Sequence, residues 1–152
     1  IDLYGQVIGV NTAISENAQS LGFALPSSLV KHAVESVRKN GKIVRPWLGV
    51  RYTTINEEFA KKNNIPYVYG VLIQRGQAAS DLAIIPGSPA DRAGIVENDV
   101  ILELDGQKLD ENHSLAGLIA RHLAGDQVTL KLFHKGQEKT VRVTLEERKE
   151  MR

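Results

Sequence analysis

The residues of this chain whose types and spacing could form a catalytic triad are its serines, histidines and carboxylates; its 152 residues include no cysteine. That absence excludes disulfides, thiolate zinc sites and a cysteine nucleophile. The four histidines are His32, His113, His122 and His134. A Ser–His–Asp site needs a nucleophile, a base in hydrogen-bond reach, an orienting carboxylate and oxyanion donors. None of the histidines lies in a pattern that reads as such a base. His32 falls on the polar face of a helix and His134 at a hairpin tip, so both read as solvated. Ser88, in Gly87-Ser88-Pro89, reads as a helix cap, and no Gly-x-Ser-x-Gly elbow is present. No catalytic residue, metal ligand set or cofactor is therefore expected. A different potential lies in Trp47-Leu48-Gly49-Val50, a glycine between apolar residues. Taken alone it is the start of a strand; its surroundings decide whether its N–H groups are also anion donors.

The elements around it follow from composition and periodicity. With 42% apolar and 24% charged residues, the chain has room for one packed domain, or one and part of another. No run of apolar residues is long enough for a membrane span, and a net charge of +1 gives no reason to expect nucleic acid. Two strands are expected over 6–14 and 21–25, joined by a polar loop over 15–20. A helix follows from a Ser27 cap to Asn40-Gly41, with Leu29, Val30, Ala33, Val34 and Val37 on one face. Residues 42–46 read as a linker. Beyond it, strands are expected over 48–53, 68–74, 83–85 and 100–104, with helices opening at Asn56, Ser88-Pro89 and Ser114. Gln127–His134 and Glu138–Glu146 read as a hairpin around Lys135-Gly136, and 148–152 as a charged tail. The fold class is α+β: a partly closed antiparallel barrel capped by two helices, behind two orphan strands and a helix. The domains are expected at 1–45 and 46–147.

Pro86-Gly87-Ser88-Pro89-Ala90-Asp91-Arg92-Ala93-Gly94-Ile95, followed by Asp99 to Asp105-Gly106, resembles the signature of PDZ domains in bacterial and organellar proteases. Asn98 stands where that pattern usually has glycine, and asparagine tolerates the left-handed turn next best. Gly5-Gln6-Val7-Ile8-Gly9-Val10-Asn11-Thr12, then Gly22 to Ser27, resembles the last two strands of the HtrA (Deg) trypsin-like serine proteases. The resemblance covers essentially the whole chain. It implies that residues 1–45 are the end of a protease domain whose nucleophile, base and orienting carboxylate lie upstream. The opening Ile1-Asp2-Leu3-Tyr4-Gly5 is accordingly read as a cut from something longer.

The resemblance also implies a function. A PDZ domain binds the carboxyl end of another chain as an added strand. Leu48, Gly49 and Val50 are expected to donate N–H groups to the carboxylate, with Gly49 allowing close approach. Arg51, Tyr52 and Thr53 would pair with the peptide, and Arg45 would assist at the carboxylate. From the Ser114–Ala124 helix, Leu118, Ile119 and His122 are candidates for the pocket wall, with Leu115 and Leu123 in the core. The partners are C-terminal peptides, and the parent protein would perform proteolysis in quality control at the bacterial cell envelope as a trimer. A scaffolding PDZ domain without protease coupling is the alternative. Stripped of their barrel, residues 1–25 are expected either to disorder or to pair with a second chain, giving a dimer.

Overall fold

A run rich in β-branched residues forms β1 (Gly9–Ile14), which pairs antiparallel with β2 (Gly22–Pro26) with a bulge between Asn11 and Ala13. The structure, a computed structural model, describes residues 1–14, 22–78 and 80–147. The expected 15–20 loop, Leu21 and the 148–152 tail lie outside the described residues. The chain divides into two compact units, 1–44 and 45–152, which are taken separately.

In the first unit β2 runs directly into α1 (Ser27–Asn40). Ser27 is not the cap. Pro26 holds that position without a side-chain bond, and Ser27, one place inside the helix, donates its N–H to the carbonyl of Ile8, just before β1, at 2.9 Å. That bond satisfies one of the N–H groups that a helix start leaves without an intrahelical partner. At the other end Gly41 adopts φ +71° and its N–H bonds Val37 O, beside Arg38 and Lys39. Buried Ser36 fastens the segment after the helix: its hydroxyl donates to Lys42 O and accepts from Val44 N. His32 is half-buried rather than fully solvated, and its Nδ1 is shielded with no hydrogen-bond partner among the described residues. Val10, Phe23, Leu25, Leu29, Val34 and Val37 all leave large apolar surface open.

The second unit contains β3 (Pro46–Trp47), β4 (Tyr52–Thr54), α2 (Glu57–Lys62), β5 (Val71–Ile73), α3 (Pro89–Arg92), β6 (Val100–Leu104), β7 (Gln107–Lys108), α4 (Leu115–Ile119), β8 (Gln127–His134), β9 (Gln137–Thr144) and β10 (Glu146–Glu147). Its main sheet runs β4-β5-β6-β8-β9 with β7 on β6, and every pairing is antiparallel. β3 and β10 form a separate two-stranded ladder, so the barrel is only partly closed. Three caps are where their sequences place them. Asn56 Oδ1 accepts from Phe59 N, Ser88 Oγ from Asp91 N and Ser114 Oγ from Gly117 N. The β8–β9 hairpin turns through Lys135 and Gly136, both at positive φ, in full eight-residue register. Asn98 takes the left-handed conformation at φ +72°.

Several expected elements are shorter than their sequence patterns. The 48–53 run is interrupted by Gly49 at φ +87°, and the 68–74 run by Gly70 at φ +101°. Residues 83–85 contribute a single bridge, Val50 to Ile84. The expected Ser114–Ala124 helix keeps only Leu115–Ile119. Arg121 N and His122 N then bond three residues back, to Leu118 O and Ile119 O, and Asp126 Oδ2 captures Leu123 N. The core lies between this sheet and α4: Leu48, Ile73, Ile101, Leu104, Leu115, Val128, Leu130, Leu132, Val143 and Leu145 are buried together. A smaller cluster of Ile55, Ala60, Val100 and Leu102 is covered by Phe59, Tyr67, Tyr69 and Phe133.

Candidate peptide-binding edge

Strand β4 ends the sheet, with β5 on one side and no strand on the other among the described residues. Its backbone bonds show which residues face the open side. Arg51 N donates to Ala83 O (2.8 Å), Arg51 O accepts from Gln74 N (3.2 Å), and Ile55 N donates to Gly70 O (2.9 Å). Backbone groups of alternate strand residues face opposite edges, so Arg51, Thr53 and Ile55 are turned inward. Val50, Tyr52 and Thr54 are left to present N–H and C=O at the free edge. Of the expected pairing residues Arg51, Tyr52 and Thr53, only Tyr52 has its backbone on that side. The sequence shows the strand but not its phase, which depends on the pairing with β5.

The loop before β4 is held from behind. Leu48 O accepts from Ala90 N at 2.9 Å and Gly49 O from Ile85 N at 3.0 Å, with Ser88 Oγ 3.5 Å from Gly49 O. In a planar trans peptide the N–H points opposite the preceding C=O. Tying back these two carbonyls therefore turns the N–H groups of Gly49 and Val50 to the opposite side. No carbonyl or side chain among the described residues accepts from the N–H of Leu48, Gly49 or Val50. Consecutive unpaired N–H groups of this kind suit an anion. The Ile85–Ala90 turn is what holds them in place.

The packing behind the loop also requires a glycine at position 49. A Cβ there would lie 2.2 Å from Ser88 Cβ and 2.6 Å from Ser88 Oγ. The obstruction is internal, because Ser88 is itself buried beneath the loop. Arg45 is exposed, immediately before β3.

On the helical side, Leu118 and Ile119 are buried with Leu115, whereas Leu123 is half-buried. Leu118 and Ile119, expected at the pocket wall, are thus buried like Leu115, and Leu123, expected in the core, is the more open residue. His122 is partly open and sits between two carboxylates, Nε2 3.5 Å from Asp105 and Nδ1 3.9 Å from Asp126.

Two further features carry no clear mark in the sequence. His134 is not a free hairpin tip: its Nδ1 lies 2.5 Å from Asp99 Oδ1, and Asp99 Oδ2 accepts from Val96 N at 3.0 Å. Asp99 is 2% exposed, so this pair ties the start of β6 to the end of β8. Beside β4 there is also an open cleft of about 540 Å³ lined by Val50–Thr53 and Gln74–Gln77. Arg51 reaches Asp81 at 3.0 Å, Gln74 Nε2 donates to Thr53 Oγ1, and Arg75 grips Glu97 through two bonds of 2.8 and 2.6 Å. That grip, chiefly its hydrogen bonding, holds the Glu97 carboxyl below the usual range and raises the Arg75 pKa. In the sequence, 76–82 reads only as a polar excursion.

Residues 46–145 match the PDZ domain family. The chain is 33% identical over 150 residues to a probable periplasmic serine endoprotease DegP-like of Marinomonas sp. (strain MWYL1), an alignment covering 97% of this chain and 30% of that protein. To the serine protease Do-like HtrB of Bacillus subtilis it is 34% identical over 150 residues, covering 95% and 32%. Among solved structures it is similar to the HtrA-type protease AlgW with decapeptide, at TM-score 0.71 and 26% identity, covering 98% of this chain and 44% of that one. The chain thus spans under a third of the length of these two curated relatives. No helix among the described residues is long and apolar enough to cross a membrane.

Proposed function

The chain belongs to the PDZ domain family through residues 46–145 and is related over nearly its whole length to HtrA/Deg serine endoproteases, and from that premise we propose that it binds free carboxyl termini. The peptide adds as a strand on the open edge of β4, antiparallel to it, and exchanges hydrogen bonds with Val50 and Tyr52. Its carboxylate lies on the N–H groups of Leu48, Gly49 and Val50, with Arg45 nearby as a long-range cation. Its last side chain enters an apolar pocket whose floor is Leu118 and Ile119 and whose polar rim is His122.

One observation supports this reading most: the carbonyls of Leu48 and Gly49 are both tied back to the Ile85–Ala90 turn, while the N–H groups beside them have no acceptor among the described residues. Three or four hydrogen bonds at ~0.5–1.5 kcal/mol each and one buried apolar side chain at ~1.5–3 kcal/mol must offset the association cost. Binding near the micromolar range, about −8 kcal/mol, is the expectation. A titration of peptides with a hydrophobic last residue, free acid against C-terminal amide, tests it. The free acid binds more tightly; equal binding removes the carboxylate role of Leu48–Val50.

The relatives' names support a wider setting. Residues 1–45 serve as the closing strands and helix of a trypsin-like protease domain, and the catalytic serine, histidine and aspartate belong to other parts of the whole protein. That protein cleaves misfolded polypeptides in the bacterial cell envelope, with the PDZ domain recognising their exposed ends.

A further inference from the structure

The cleft beside β4 is lined by Val50–Thr53 and Gln74–Gln77, and of these residues the proposed peptide site uses only the backbone of Val50 and Tyr52. Val50 and Tyr52 pack against the main core. Strand alternation therefore sends the side chains of Arg51 and Thr53 to the opposite face, and both residues line the cleft with Gln74–Gln77. A peptide laid antiparallel on the free edge alternates in the same way. If its last side chain turns to the core face, its penultimate side chain turns to the face of Arg51 and Thr53.

The groups on that face have donors to spare. Arg51 contacts Asp81 through Nη2, which leaves Nε and Nη1 with no partner among the described residues. The Thr53 hydroxyl accepts from Gln74 Nε2, so its own proton remains to be donated. Arg75, across the cleft, has Nε and Nη2 committed to Glu97. An ammonium group entering here would meet two guanidinium groups, whereas a carboxylate would meet an arginine with free N–H groups and a hydroxyl donor.

We propose that Arg51, supported by Thr53, forms a subsite for an acidic side chain at the penultimate position of the bound peptide. This rests on the carboxyl-terminus reading above and specifies the substrate class of that same edge. Asp81 positions the guanidinium: its carbonyl and side chain hold the Gly76–Ala78 turn (Gly76 N to Asp81 O, 2.9 Å), and its Oδ1 anchors Nη2. Asp81 and Glu97 offset the two arginines, so the preference comes from the charge-assisted contact with Arg51 alone and is modest.

The test uses fluorescence anisotropy on the whole chain with labelled pentapeptides Ala-Ala-Ala-X-Val, where X is aspartate, alanine or lysine, as free acids and amides. The aspartate peptide is expected to bind about 1.5- to 5-fold more tightly than the lysine peptide, the size of an exposed ion pair. In Arg51→Gln that ratio falls to about one. The ratio within each variant is the readout, so a general loss of affinity cancels. On the unaltered chain the ratio shrinks as salt rises from about 0.05 to 0.5 M, a measurement that needs no variant to fold. Lysine binding as well as aspartate, or a ratio unchanged in Arg51→Gln or in high salt, overturns the subsite while a free-acid preference leaves the terminus reading standing. Equal binding of acid and amide overturns both.

Discussion

Gly49→Ala separates two explanations of the glycine, an open approach for the ligand and an internal clash. At φ +87° an alanine is strained by roughly 1–2 kcal/mol. Its Cβ would also stand 2.2 Å from Ser88 Cβ, where ordinary contact is well beyond 3 Å, so the loop or the α3 turn must shift. Overpacking of this kind costs about 1–3 kcal/mol. Together the expected loss is about 2–5 kcal/mol of stability in the unit that starts at Arg45. Urea denaturation followed by the fluorescence of Trp47, the chain's single tryptophan, reads this directly. A lower midpoint with an unchanged slope is expected. The double variant Gly49→Ala/Ser88→Gly removes both clashing atoms, and glycine as a cap costs only a few tenths of a kcal/mol relative to serine. It should recover the overpacking part and retain the φ strain. If Gly49→Ala unfolds at the wild-type midpoint and merely fails to bind peptide, the internal-clash reasoning is refuted and ligand obstruction stands.

Asp99→Ala removes the hydrogen-bond partner of His134 Nδ1 and the acceptor of the Val96 N–H. A loss of about 1.5–3 kcal/mol is expected by urea denaturation, and an unchanged midpoint would remove the pair's structural role. Acid weakens the fold through Glu97, Glu138 and Asp110, all held low, respectively by the hydrogen bonds of Arg75, of Tyr67 and Lys131, and of His113. Such carboxylates bind fewer protons folded than unfolded. Their stabilisation is complete above the unfolded pKa, about 4, and is lost as pH falls through the lowered folded values. Glu138→Gln should flatten this acid limb in a pH series of denaturation midpoints, and an identical limb would count against it.

Local signals were legible where one residue decides the outcome. The Asn56, Ser88 and Ser114 caps, the Lys135-Gly136 turn and the alternating Val128, Leu130 and Leu132 all depend on near neighbours. What distant residues decide was not legible. Pro26 rather than Ser27 takes the cap position while the Ser27 N–H bonds Ile8, and Asp99 pairs with a histidine 35 positions away. The Leu48–Val50 loop could be nominated from its glycine, but its orientation depends on Ile85 and Ala90. The phase of β4 likewise follows from pairing with Gln74 and Ala83, partners that periodicity does not identify. Strand ends were overestimated where a glycine at positive φ interrupts a β-rich run, as at Gly49 and Gly70.

The three-residue length of β4 has a further consequence. An open strand edge is a template for any extended chain, including the edge of another copy, and long flat edges lead to aggregation. Here the template is bounded by the Gly49 turn on one side and the Asn56-capped α2 on the other. Each alternate outward residue adds about 6–7 Å of reach, so Val50, Tyr52 and Thr54 fix the number of ladder bonds that any visitor can make. A passing internal segment would gain those few bonds and nothing else. On the proposed reading a true chain end adds its charge, and selection between the two would then come from an edge too short to hold a strand by its backbone alone.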